Sequence, residues 1–208
     1  MAYMYSFPER VADGTVHILG IAASIAATTA LILWAAQDST ALTIASVAVY
    51  GAFATLTFTV SAIYHMTPWQ AARPWLQRID HASIYLKIAG TYTPLVVILG
   101  NVFGYIVLAC IWTAALAGAV GKLTDWLQPG WGSTALYAAL GWASVVLLGP
   151  LIQAVPAQTV WLMVAGGALY TGGAVINHME HMRYNVAIWH AFVLTASALF
   201  FAAIVIAL

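Results

Sequence analysis

Seven runs of apolar residues, each about as long as a bilayer is thick, constrain this chain more than any single residue does. A hydrocarbon core about 30 Å thick is crossed by a helix of roughly 20 apolar residues, because a helix satisfies its own backbone hydrogen bonds where water cannot. Such runs fall at approximately 16–36, 41–64, 82–99, 103–120, 134–151, 158–176 and 186–208. Only 6% of the residues are charged and 63% are hydrophobic, whereas an ordinary soluble domain carries roughly 25% charge. The expected fold is an all-α integral membrane protein, a single seven-transmembrane helix bundle over residues 1–208. Joints such as Gln37–Thr40 and Gly100–Val102 are so short that consecutive helices must be antiparallel neighbours. Glu9, Arg10 and Asp13 precede the first run and no small-residue cleavage site follows it, so it reads as a retained helix, not a signal peptide.

Charge removes several function classes. Six Lys or Arg balance six Asp or Glu, which leaves no basic field to attract nucleic acid. The single cysteine, Cys110, excludes an intramolecular disulfide and a thiolate metal cluster, and reads as lipid-facing or packing material. Arg10, Arg73, Arg78, Lys122 and Arg183 all fall on the side of the N-terminus, and Lys87 enters the third run from that side. By the retention of positive residues in the cytoplasm, the N-terminus is expected inside and the C-terminus outside.

The polar residues then fall at one depth. His17 opens the first run, His65 ends the second, Asp80 and His81 begin the third, and His190 lies about one turn into the seventh. A bundle could gather these four helix ends into one site, and intramembrane ionisable groups are functional candidates because burying them is costly. Ser61 and His65, four apart, stack on one helical face. Each residue also has a plainer reading. Ser61 could be interhelical packing, His65 an interfacial histidine beside Pro68 and Trp69, and Asp80 a helix cap. Glu9, Asp13 and His17 recur every four residues and could line one inward face, while Ser6-Phe7-Pro8-Glu9 also reads as a capping box. His178 and His181 read as a solvated loop with Glu180 and Arg183, and Trp112, Trp126, Trp131, Trp142 and Trp161 as an interfacial belt.

Four motifs carry a family resemblance over almost the whole chain. They are Glu9-Arg10-Val11-Ala12-Asp13-Gly14 followed by His17, and Ser61-Ala62-Ile63-Tyr64-His65. Asp80-His81-Ala82-Ser83-Ile84-Tyr85 then leads into Ile88-Ala89-Gly90-Thr91-Tyr92-Thr93-Pro94. Gly167-Ala168-Leu169-Tyr170-Thr171-Gly172 and Ala187-Ile188-Trp189-His190-Ala191-Phe192-Val193-Leu194 complete the set. With these the chain resembles the bacterial hemolysin III proteins of the progestin and adipoQ receptor superfamily. The resemblance implies zinc near the cytoplasmic end, held by one histidine of the second helix and two of the seventh. It also implies an aspartate of the third helix that orders a water, in a site similar to those of membrane hydrolases such as alkaline ceramidases. Carried over, His65 and His190 are metal ligands, Asp80 is the catalytic carboxylate and Ser61 assists beside them. Val186 and Phe200 stand where relatives usually have histidine, so a third ligand would have to come from Asp80, His81 or His17. Lys87 replaces a usually apolar residue two turns deeper than Asp80, where it could serve as counter-ion to that carboxylate or snorkel to the headgroups.

The expected function is that of a hemolysin III-like protein of the bacterial inner (cell) membrane, with a zinc-dependent hydrolase-type site for a lipid amide or ester. Membrane lipids are its expected partners. The competing expectation is a non-enzymatic receptor-like or pore-forming bundle with a metal-free buried polar network.

Overall fold

Helix ends in this chain are set by capping chemistry, and hydropathy alone misplaces two of them. The computed structural model describes residues 6–208. Its α-helices are α1 (Phe7–Asp38), α2 (Ala41–Met66), α3 (Arg73–Leu99), α4 (Val102–Leu123), α5 (Trp131–Trp142), α6 (Leu148–Ala154), α7 (Ala157–Asn177) and α8 (Asn185–Ala207). A short 3-10 segment, Ala143–Leu147, joins α5 to α6, so the two count as one span and seven segments are long and apolar enough to cross a membrane.

The Ser6 amide and hydroxyl both donate to the Glu9 carboxylate, at 2.8 and 2.7 Å, and Pro8 sits in the first turn. These contacts start α1 nine residues ahead of the apolar run expected from 16. By helix geometry α1 is about 48 Å long, more than the hydrocarbon core requires, so its first turns are polar by design. The third helix departs more. It begins at Arg73, with Pro74 in the first turn, instead of at 82. Asp80 therefore lies two turns inside α3, and the N-terminal cap position is Ala72, which removes the capping reading of Asp80. Elsewhere the short joints behave as expected: Thr40 Oγ1 accepts from Thr43 N–H, Asn101 Oδ1 accepts from Gly104 N–H, and Gly100, at φ 62°, closes α3 in the left-handed region.

The fifth span is broken. Pro150 has no N–H to give Val146, and its ring crowds that carbonyl, which is where the 3-10 segment lies. Tyr92 of α3 directs its hydroxyl at the carbonyls of Leu140 and Gly141, 2.9 and 2.8 Å away. Trp142 donates its indole N–H to Thr171 of α7.

α3 is the central helix, packing against α2, α4, α5, α6 and α8, while α1 bridges α2 and α8, and α7 lies along α8. Val47, Ala89, Val96, Ala115 and Ile204 sit fully inside. Small residues let the helices approach: a Cβ on Gly51 would stand 2.0 Å from Thr28 of α1, and one on Gly118 would stand 2.5 Å from the Tyr85 ring. Trp69, Trp126 and Trp161 are exposed near helix ends, as an interfacial belt requires, but Trp112 is mid-α4 and donates to Thr93 Oγ1 at 3.2 Å. Cys110 is exposed on α4.

Gly51→Val should lower stability by about 1–3 kcal/mol through overpacking against Thr28. Gly132→Ala, which meets nothing within 4 Å, should not. Thermal unfolding in detergent reads both.

Candidate functional site

The four-residue spacing of Glu9, Asp13 and His17 puts all three on the inner face of α1, where they are 3%, 6% and 2% exposed. Glu9 completes the α1 cap and also accepts the Tyr184 backbone N–H at 3.0 Å, tying α1 to the start of α8. Tyr184 takes the left-handed conformation, φ 61°, to turn the chain into that helix.

Asp13 is the hub one turn deeper. Its Oδ1 accepts from His190 Nδ1 of α8 at 2.5 Å, and its Oδ2 lies 3.8 Å from His65 Nδ1 of α2. Its backbone carbonyl accepts from His17 Nδ1 at 2.9 Å. A carboxylate and a carbonyl only accept, so the Nδ1 atoms of His190 and His17 carry protons and their Nε2 atoms present lone pairs. Ser61 Oγ lies 3.3 Å from His190 Nε2, and Asp80 Oδ2 lies 3.9 Å from His65 Nε2. The ring centroid of His190 is 4.3 Å from that of His17 and 4.7 Å from that of His65. Ser61, His65, Asp80 and His190, drawn from three helices, thus meet at one end of the bundle.

The cluster holds the kinds of donor that bind zinc. His17 Nε2 is buried and has no hydrogen-bond partner among the described residues, a costly state for a lone pair that nothing coordinates. Donor atoms of Asp13, His17 and His190 lie within 4.8 Å of one another. Imidazole and carboxylate donors suit zinc, and histidines that bind it commonly donate their other ring N–H to a carboxylate or carbonyl, as His190 and His17 do here. The third imidazole is therefore available from α1. Val186, where the family resemblance implies histidine, is buried and lines a small recess with Asp13 and His65.

Other expected residues go elsewhere. His81 takes no part in the cluster's hydrogen bonds or ion pairs among the described residues. Phe200 packs beside the Tyr170 ring and against Gly166 of α7. Lys87 is neither counter-ion to Asp80 nor snorkelling: Nζ donates to Ser197 Oγ of α8 at 2.8 Å, away from Asp80, and the side chain is buried. His178 is not a free loop residue, because its Nδ1 bonds the Ala174 carbonyl, its Nε2 lies 3.4 Å from Thr134 Oγ1, and its ring stacks on Trp131. His181, Glu180 and Arg183 are exposed as expected. The role of Asp13 is not visible in the sequence beyond its four-residue spacing.

Comparison with known proteins bears on the family. A family model described as "Haemolysin-III related" matches residues 5–201. The chain is similar to "Hemolysin-3" of Bacillus cereus, 36% identical over 194 residues that cover 93% of this chain and 89% of that protein. It is also similar to "Hemolysin-3 homolog" of Bacillus subtilis (strain 168), 32% identical over 199 residues covering 95% and 93% of the two chains.

Because the Asp13 carboxylate faces the Nδ1 atoms of both His190 and His65, Asp13→Ala should destabilise the bundle by about 1.5–3 kcal/mol. Asp125→Asn, which removes the charge from the half-exposed 2.7 Å pair with Arg78 and suits the left-handed backbone there, φ 63°, should cost less than about 1 kcal/mol. Parallel melting curves in one detergent separate the two.

Proposed function

The chain belongs to the haemolysin-III related family of integral membrane proteins, and on that premise we propose a zinc-dependent hydrolase acting on a lipid amide or ester. The observation that carries the reading is the buried Nε2 of His17, without a partner among the described residues, beside His65 and His190. Three imidazoles from α1, α2 and α8 would hold the ion and leave one position open, the arrangement of catalytic rather than structural zinc. When bound, zinc lowers the pKa of a water toward about 7 and polarises a carbonyl oxygen.

The chain's own groups do the rest. Asp13 fixes the His190 ring through Nδ1 and stands beside the same nitrogen of His65, so both rings are held before substrate arrives. Asp80, the carboxylate nearest His65 Nε2, accepts the proton from the attacking water and returns it to the leaving nitrogen or oxygen. The Ser61 hydroxyl donates to His190 Nε2 when no ion is held there, and to the carbonyl oxygen of a bound substrate otherwise. Substrate arrives laterally from the bilayer. The end of the bundle bearing Arg10, Arg73, Arg78 and Arg183 is assigned to the cytoplasmic side of a bacterial cell membrane.

Elemental mass spectrometry of detergent-purified protein should find about one zinc per chain, with His17→Ala, His65→Ala and His190→Ala each losing most of it. Asp80→Asn should keep the zinc and the fold but lose about 100-fold or more in turnover on a lipid amide and ester panel. Absence of metal after zinc supplementation would shift the reading to a metal-free polar network in a receptor-like or pore-forming bundle. Zinc that survives His17→Ala would remove α1 from the donor set.

A further inference from the structure

The chain has four arginines, and three of them stand around one recess at the charged end of the bundle. The recess holds about 10 Å3, room for roughly one water, and its wall runs from exposed Arg10 to Asp13 and His65 of the histidine cluster. Arg10 donates from Nη2 to the carbonyl of Met66, another wall residue, at 3.4 Å. The Arg183 guanidinium carbon lies 5.6 Å from the ring centroid of Tyr184, which also lines the recess. That of Arg73 lies 5.3 Å from the Tyr64 ring, which in turn stands 4.5 Å from the His65 ring. The fourth, Arg78, is set apart by its pair with Asp125.

Arg10, Arg73 and Arg183 form no salt bridge among the described residues. Glu9 also lines the recess, but its carboxylate is engaged by Ser6 and by the Tyr184 amide. Three guanidiniums against this one carboxylate leave the rim a surplus of two positive charges. Retention of positive residues in the cytoplasm explains which side of the membrane they occupy, not why they flank the way to the histidine cluster. Trp69 and Trp75, exposed near the end of α2 and the start of α3, place this rim at headgroup depth, where lipid phosphates lie. A guanidinium stays charged and its fork of N–H groups matches phosphate oxygens.

We infer that this arginine rim binds the phosphate of an anionic lipid, and that the substrate of the histidine cluster is a phosphate-bearing lipid ester or amide, not a neutral one. The substrate class rests on the hydrolase reading above, whereas the phosphate site does not. A phosphate monoester carries a charge of about −1.5 to −2, close to the surplus at the rim. Arg10 precedes Asp13 by three residues, about 4.5 Å along α1, so a phosphate at the rim stands roughly one helical turn outside the level of the histidines. In a glycerophospholipid the phosphate and the nearest acyl carbonyl are separated by a similar reach, which brings that carbonyl to the level of His65. Met66, whose thioether lies over Gly14, is the flexible part of the wall that the lipid displaces.

The test is equilibrium binding of radiolabelled dioleoyl phosphatidate to the full-length protein in a non-ionic detergent at low salt, with dioleoylglycerol and glycerol 3-phosphate as competitors. Phosphatidate should bind saturably, with both competitors weaker, and its binding should fall as salt is raised. Arg10→Gln combined with Arg73→Gln should weaken it about tenfold or more, the equivalent of one charge-assisted hydrogen bond lost, while Arg10→Lys with Arg73→Lys keeps most of it. Arg183→Gln, which leaves α1 and α3 untouched, should weaken binding in the same direction and keeps the test decisive if the double variant does not fold. Arg78→Gln should bind as the unmodified protein does. In turnover, kcat/KM should be higher on phosphatidate than on dioleoylglycerol, and the double Gln variant should raise KM for phosphatidate and leave kcat. Equal binding by dioleoylglycerol or glycerol 3-phosphate, or undiminished binding by the folded Gln variants, overturns the lipid-phosphate site. Equal kcat/KM on the two lipids overturns the substrate class. Phosphate-dependent binding without turnover of any lipid supports the site and overturns the hydrolase reading, and the substrate class with it.

Discussion

A polar side chain carried into the apolar interior of a helical bundle must find its partner on another helix, and in this protein the demands meet at Asp13. Its two carboxylate oxygens face His190 of α8 and His65 of α2, and its own backbone carbonyl holds His17 one turn further along α1. The first two helices and the last are thereby fixed at one level. Glu9 repeats the device at the rim, capping its own helix and accepting the first backbone amide ahead of α8. The α1–α8 contact that closes the bundle is thus made by acidic side chains spaced one turn apart.

The same rule explains the irregular backbone. Where Pro150 prevents α5 from continuing as one helix, the neighbouring carbonyls turn to the Tyr92 hydroxyl of α3, and Trp142 turns to Thr171. Trp142 reaches α7 over Gly167, so an aromatic side chain makes this contact. Against α1 and α2 the opposite holds, since Gly51 lets Thr28 press on the helix backbone. The tight side of the bundle carries the histidine cluster. The loose side carries an aromatic chamber that Lys87 lines.

Two polar levels follow. Near the charged end, imidazoles and carboxylates are held by one another, with the Nε2 of His17 left over. Two turns deeper, hydroxyls and aromatic faces surround a lone ammonium.

Seven spans, their order and their antiparallel adjacency were legible in the sequence, because helix length and apolar runs are local properties that the bilayer thickness translates directly into structure. So was the capping box at Ser6 and Glu9, which depends on residues three apart. The family motifs also named His65, Asp80, Ser61 and His190, which the fold brings together. What the sequence left open was decided by contacts between helices. Asp80 could be read as a cap until α3 was seen to begin at Arg73, since Pro74 and the polar first turns carry no apolar signal. Lys87 could be paired with Asp80 by helical phase alone, but phase fixes only a direction on one helix, and Ser197 of α8 was nearer along it. Asp13 and His17 stood in the first family motif at a four-residue spacing, but neither fixed their role, because whether an α1 face looks inward depends on which helix covers it. That helix, α8, lies at the other end of the chain, and no local pattern can report a partner so far away in sequence.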